Sequence, residues 1–373
     1  MSTLKVDAIR HNSATSDAIT TAADGTCTAK LTSVGGGGLS HRNKVINGSM
    51  IINQRSSSYT ATGEEYLLDR FNHRTGSGFT FDTTTTQDTS APDGFTKSLK
   101  ITPDSTQTPS GSHNGMIGHL IEADNLLGFA SGTSSAKSFA LSFYAKSSSQ
   151  NNNHQYSVQI SKVNSGGTYY YQNRSFVVTS SWQRFTVVFP ADTSNNIATG
   201  NGEGLRILWH LSAGPDDIAS AVTSWTSSNG NHAVTGQSNF MDNTSNEFYL
   251  TGVQLEVGDT ATTFEHLTFA EELTLCERYY QIIKPTIGEA QNTTNIQGVL
   301  RANPAMRATP SASILNNSNN VNLAGSGPNS VTSIGTIYYN GTTGGWAEMG
   351  GTGFTQHRNY FILGDKFAFS AEL

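Results

Sequence analysis

The chain has 373 residues and a net charge of −6, with 35% hydrophobic and 13% charged side chains, against roughly 45–50% and about 25% in ordinary globular domains. Its 37 glycines, together with abundant Ser, Thr and Asn, suit many short strands joined by polar turns in more than one folded unit. No Lys/Arg run offers a nucleic-acid footprint, no apolar stretch approaches the roughly 20 residues of a membrane helix, and two distant cysteines, Cys27 and Cys276, argue against a disulfide framework.

Residues 1–44 contain no Phe, Tyr or Trp and end in VGGGGLSHRN, a hinge composition. Leu4 and Val6 alternate with Lys5 and Asp7, and Ala18-Ile19-Thr20 and Thr26-Cys27-Thr28 read as two further short strands. Such a segment cannot build a core alone, so it is expected to be ordered by contact with something else. Its first twenty residues carry no apolar h-region, and the reading is of a chain without a secretory signal.

From VINGSMIINQR (45–55) to FYLTGVQLEVG (248–258) the chain reads as strands. The clearest are SLKITP (98–103), FALSFYAKS (139–147), YSVQISKV (156–163), TYYYQNRSFVV (168–178), WQRFTVVFP (182–190) and LRILWHLSAG (205–214). Polar turns separate them, which predicts an antiparallel β-sandwich, and IEADNLLGF (121–129) reads as a short helix between two strands. Trp182, opening a strand, is expected in the core.

At 251–258 Val253 and Leu255 alternate with Gln254 and Glu256, and Gly258 ends the strand. Thr268 and Glu271 then fit a capping box, with Glu272 also near the positive helix N-terminus. Phe269, Leu273, Cys276 and Tyr280 recur as one apolar stripe of a helix linking two domains, with Cys276 a buried hydrophobe and no nucleophile. After residue 284 a smaller β domain runs to the end. The expected division is 1–44 arm, 45–283 sandwich closing with the helix, and 284–373 C-terminal β domain.

Catalytic and metal signatures are missing. There is no G-x-S-x-G, H-E-x-x-H or Cys-x-x-Cys. His210 is expected on a solvated strand face with no second histidine at ligand spacing. The loops GPDD (214–217) and MDNTSNE (241–247) have the oxygen donors for structural calcium but read first as solvated turns, so no cofactor is expected. The acidic pairs Glu64-Glu65, Asp216-Asp217 and Glu271-Glu272 do not define a glycosidase pair, since adjacent strand residues face opposite ways. No enzymatic activity is expected. Glycan contact calls for exposed aromatics beside polar partners. Tyr170, which faces away from Tyr169 and Tyr171, and the polar loop holding Trp225 and His232 are the candidates.

Several segments together resemble bacteriophage tail-fibre-type virion proteins of marine phages and cyanophages. They are STLKVDAIRHNSATSDAIT, VINGSMIINQR, YLLDRF, WTSSNGNHAVTGQSNF, FYLTGVQLEVGDTATTFEHLTFAEELTLCERYYQ, AMRATPSASI and the terminal FSAEL. In YLLDRF, Phe71 stands where that family usually has tryptophan. The resemblance implies a carbohydrate-binding-module-like jelly roll in a homotrimeric tail fibre or spike of the virion, synthesised in the host cytoplasm. Its arm would anchor to other tail or capsid proteins, with Leu4, Val6, Ile9 and Ile19 buried between chains, and its β domains would meet host-surface polysaccharide. Nucleic acid and membrane insertion are not implied. Two alternatives stay open: a capsid-decorating or tail connector protein without receptor role, and a polysaccharide-degrading tailspike.

Overall fold

A computed structural model describes residues 6–10, 12, 19–21, 23, 27–29, 40–56, 58–61, 63–227, 232–283, 287–315, 321–322, 330–362 and 367–373. In the arm, β1 (Ala8–Ile9), β2 (Ile19–Thr21) and β3 (Cys27–Ala29) form a small antiparallel sheet that sets Ile9 against Ile19. Val6 is 40% and Ile9 52% exposed, and Ile19 is half-buried. Leu4 lies outside the described residues.

The body is mainly β, an antiparallel sandwich of the jelly-roll kind with one short α-helix at its exit. Its strands are β4 (Ser58–Ala61), β5 (Glu65–Tyr66), β6 (Phe71–Gly76), β7 (Thr83–Asp88), β8 (Ser98–Pro103), β9 (Asn114–Glu122), β10 (Phe139–Ser147), β11 (Gln155–Val163), β12 (Tyr169–Val177), β13 (Gln183–Phe189), β14 (Glu203–Ala213), the short parallel pair β15 (Ile218–Ala219) and β16 (Ala233–Val234), and β17 (Phe248–Val257). One sheet runs β13-β10-β17-β8-β7-β4 and the other β12-β11-β14-β9-β6-β5. Strand alternation builds the space between them: Val158 and Ile160 from β11, Leu205, Ile207 and Trp209 from β14, and Leu141, Phe143, Val253 and Leu255 from the facing sheet are all fully buried. The segment 123–129 is a 3-10 helix.

VINGSMIINQR, expected as a strand, is instead a looped strap. Asn47 and Met50 take left-handed φ values of 60° and 59°. The Asn47 side chain holds the loop by bonding both the N–H and C=O of Ile52 and the carbonyl of Asp69. This local bonding competes with a sheet ladder and wins. Gly48 accepts from Val253 N–H at 2.9 Å, an approach so close that a Cβ there would overlap the Val253 carbonyl. Trp182 also departs from expectation. It lies half-buried on the outer face of its sheet, edge-on to Tyr249, with Lys146 over both rings, because only the side chains after it reach the core.

The joint after β17 is held by polar side chains. Gln254 and Glu256 share a face as expected, and both are buried. They bind each other and accept the backbone N–H groups of Glu265 and Thr262. Helix α1 (Phe269–Glu277) starts on the capping box of Thr268 and Glu271. Its apolar stripe is corrected by the structure. Phe269 is 60% exposed, Leu273 is half-buried, and Tyr280 belongs to the following strand. The buried residues of the helix are Glu272 and Cys276, and Tyr279 is buried just beyond its end. Glu272 is drawn inward because its carboxylate accepts the Asn47 N–H of the strap, a polar contact that hydrophobic periodicity does not register.

Beyond the helix come β18 (Tyr280–Ile283), β19 (Ile287–Ala290), β20 (Asn295–Arg301), β21 (Ser311–Ile314), β22 (Val321–Asn322), β23 (Ser330–Tyr339), β24 (Gly344–Thr352), β25 (Asn359–Ile362) and β26 (Phe367–Ser370). They make a three-stranded sheet, β18-β26-β21, and a six-stranded sheet, β22-β25-β19-β20-β24-β23. A second hydrophobic core lies here, with Ile283, Ile296, Leu300, Met349, Tyr360 and Phe369 among its members. The chain end ties the two cores together: Glu372 pairs with Arg55 and with the fully buried Arg70, whose guanidinium lies 3.6 Å over the Tyr279 ring. On the opposite side Glu122 takes Arg278 at 2.7 Å and the Tyr279 hydroxyl at 2.8 Å.

Candidate functional site

The same alternation that fills the core sends a second set of residues to the outer face of the sheet β12-β11-β14-β9-β6. Register aligns them in rows across the strands: Asn173, Gln159, Leu208, Gly118 and Asn72 in one, and Ser157, His210, Met116 and Arg74 in the next. An outer sheet face is ordinarily solvated, yet Gln159 is 2% and His210 1% exposed. The segment between β14 and β17 causes this by folding back over one end of the face. Gln237 accepts from Ser157 and donates to the His210 carbonyl, Val234 N–H bonds Ser157, and Asn173 grips the His232 carbonyl and the Val222 N–H.

The uncovered part is a cleft of about 280 Å³. Its floor is Gln159, Ser161, Leu208, His210 and Met116. Tyr169 and Tyr171 stand on one side, Glu64 and Arg74 on the other, and His232 closes the covered end. Tyr169 is 38% exposed and lies 4.1 Å from the Arg206 guanidinium, which is itself clamped on both Glu203 oxygens. Burial works against the Arg206 charge, but Glu203 outweighs it and holds the proton more tightly than usual. Arg74 pairs with Glu64 at 3.1 Å. The walls therefore balance cations with anions, and the floor offers amide, hydroxyl and imidazole groups.

His210 is the main correction to the sequence reading. It is buried, not solvated, and a second histidine does lie beside it: His232 stacks on it with ring centroids 6.0 Å apart and planes 8° apart. Burial, and next the neighbouring His232, lower its pKa to about 3, so it stays neutral and shares one ring nitrogen with Gln159 at 3.0 Å. Asp217 of the GPDD loop is also buried, bonded to His232 at 2.6 Å and to Asn114 at 3.1 Å. In MDNTSNE, Asn246 is buried and donates to Phe240 and Asp242. Among the described residues no group of three or more His, Cys, Asp or Glu side chains is placed to hold a metal ion.

Of the three residues singled out for glycan contact, only His232 lines the cleft. Tyr170 pairs in register with Lys162 and shares its inward side, away from the cleft, since the β12 alternation turns Tyr169 and Tyr171 outward instead. Trp225 is packed on the sandwich core 5.7 Å from Phe139, under the Lys162 ammonium, with its indole N–H donating to Pro190 C=O at 2.9 Å. It locks its loop. Of the residues missed, Tyr169, Tyr171, Gln159 and Ser161 had one sequence signal, since they occupy the non-core positions of strands whose core positions were legible, whereas Arg74 lies on a strand the sequence reading did not identify.

No family model matches the chain, and no curated protein matches it. Among solved structures, the enzymatically active domain of tailspike protein 4 of bacteriophage CBA120 aligns at 13% identity over 61% of this chain and 23% of that one, with a TM-score of 0.31. A C-terminal family 22 carbohydrate-binding module of Clostridium thermocellum aligns at 12% identity over 55% of this chain and 96% of its own, with a TM-score of 0.29. A family 11 module from the same organism, in complex with a β-1,3-1,4-mixed-linked tetrasaccharide, aligns at 11% identity over 56% and 98%, with a TM-score of 0.26. No helix among the described residues is long and apolar enough to cross a membrane.

Proposed function

We propose that the chain is a non-enzymatic glycan-binding virion protein, with a homotrimeric tail fibre or spike anchored by its arm as the particular form. The observation that carries the glycan reading is the cleft itself, a floor of buried amide, hydroxyl and imidazole groups beside the exposed ring of Tyr169. Sugar rings offer hydroxyls to such a floor and an apolar C–H face to such a ring. Binding is favoured over hydrolysis because the wall carboxylate Glu64 is engaged by Arg74, and Glu203, behind the wall, by Arg206. Tyr169→Ala is expected to weaken retardation in native gels containing neutral polysaccharide by about tenfold in Kd. Unchanged mobility of both wild type and variant across neutral polysaccharides would remove the cleft as a glycan site.

The arm supports the virion part of the reading. It has apolar side chains at Val6 and Ile9 that its own sheet leaves exposed, as a segment completed by other chains would. Deleting residues 1–35 is expected to yield a folded protein absent from particles, checked by immunoblotting of purified virions. Particles that still carry the truncated chain would show that the arm is not the anchor.

A further inference from the structure

The outer face of the six-stranded C-terminal sheet carries a row of exposed apolar side chains that core packing does not explain. Phe361 of β25 faces Ile287 of β19, and the register that sets Gly288 against Gly298 carries Ile287 beside Val299 of β20. Val299 faces Trp346 of β24, which faces Tyr338 of β23. All five are exposed, at 53%, 54%, 41%, 38% and 49% in that order. Five adjacent strands span about 19 Å. An unbroken row of this kind departs from the scattered single apolar residues of an ordinary surface.

One end of the row opens into a cleft of about 650 Å³, lined by Val299, Arg301, Asn303, Tyr338, Asn340 and Trp346 among others. The Tyr338 and Trp346 rings are stacked, 4.1 Å between centroids and 18° between planes, and form its aromatic wall. Gly344, at φ 97°, and Gly345 leave the rim beside them without side chains. Among the described residues no carboxylate lines the cleft. Among the described residues the Arg301 guanidinium has no ion pair, unlike the arginines of the sandwich cleft.

We propose that this cleft is a second carbohydrate site, independent of the one on the sandwich, and that it takes an acidic polysaccharide. The aromatic wall packs the C–H face of a uronate ring, Arg301 receives its carboxylate in a two-pronged hydrogen bond, and Asn303 and Asn340 meet its hydroxyls. The polymer continues along the apolar row toward Phe361. A flat protein face fits these observations less well. Laid on the row, it would leave the cleft unfilled, and it would have to bring a carboxylate of its own to Arg301 to avoid burying that charge unpaired.

The test uses the full chain and two probes, tetragalacturonate and the corresponding tetramer of mannuronate, in calorimetric titrations at low and raised NaCl. At least one probe is expected to bind, more weakly in raised salt. Arg301→Gln and Trp346→Ala are each expected to cost about tenfold in affinity, while Tyr169→Ala, in the sandwich cleft, leaves the affinity unchanged. Both substituted positions are exposed, and unchanged circular dichroism checks the fold. Failure of both probes to bind overturns the proposal, as does full affinity in the two variants. A shift of Trp346→Ala from oligomer to monomer in sedimentation, without loss of probe binding, would make the row an interface between copies instead.

Discussion

Replacing Glu372 by alanine is expected to destabilise the protein by about 3–5 kcal/mol, the range for breaking a buried ion pair from one side. Arg70 is 1% exposed and cannot recover water when its carboxylate is removed. Among the described residues its remaining partners are the Leu120 carbonyl, the Tyr66 hydroxyl and the face of Tyr279, none of which carries a full negative charge. The same carboxylate holds Arg55 at 2.6 Å, and the surrounding tail is fixed by Ala371 N–H on Tyr279 and by Arg307 on two tail carbonyls. Guanidinium unfolding followed by intrinsic fluorescence measures the loss. A change below about 1 kcal/mol, the scale of a surface pair, would mean that Arg70 finds another acceptor and that the chain end is dispensable.

Acid should weaken the fold well above the ordinary carboxylate range, through the buried histidines His73, His119 and His210, of which the last two are shifted furthest. His119 lies edge-on to Phe71 at 4.8 Å, with one ring nitrogen on the Ile46 carbonyl and the other without a partner. Burial, and next the nearby Arg70 charge, lower its pKa from 6.5 to about 3. His210 is lowered to about 3 by burial and His232. Between those limits the unfolded chain binds protons that the folded chain refuses, so stability rises with pH across that window. It is fully present above 6.5 and drains away as pH falls toward 3. At pH 5 His119 and His210 each cost about 2 kcal/mol relative to neutral pH. Denaturant midpoints measured from pH 7 to pH 5 should fall, and fall less in His210→Gln, which keeps a hydrogen-bonding group but cannot titrate. Identical slopes in wild type and variant would show that His210 is already free to protonate.

The sandwich was legible because its strands carry apolar side chains on one face only, even where tertiary packing buries the polar face as well. In YSVQISKV the alternation separates Tyr156, Val158 and Ile160 from Ser157, Gln159 and Ser161, and the structure puts the first set in the core. The capping box of Thr268 and Glu271 was legible for a similar reason, since both partners lie within four residues. The strap at 45–55 was misread because its apolar letters resemble a strand, while its conformation is set by one asparagine bonding across the loop. The stripe on α1 failed because Glu272 is buried by a backbone N–H from 225 residues away.

The cleft was only half legible. Alternation names the residues on its face, but no local pattern says that the segment after β14 will fold back over that face. That fold-back buries His210, brings His232 from 22 positions along the chain to stack on it, and turns a solvated strand face into a floor. Sequence by itself therefore determined the β class, the strand faces and the helix cap, all of which depend on neighbours a few residues apart. Tertiary structure alone decided which face is covered, which tyrosines stand outward beside it, and that Arg70 meets Glu372 across 302 residues. Those pairings are set by the closing of the two sheets and the return of the chain end, and periodicity carries no record of a contact made between distant segments.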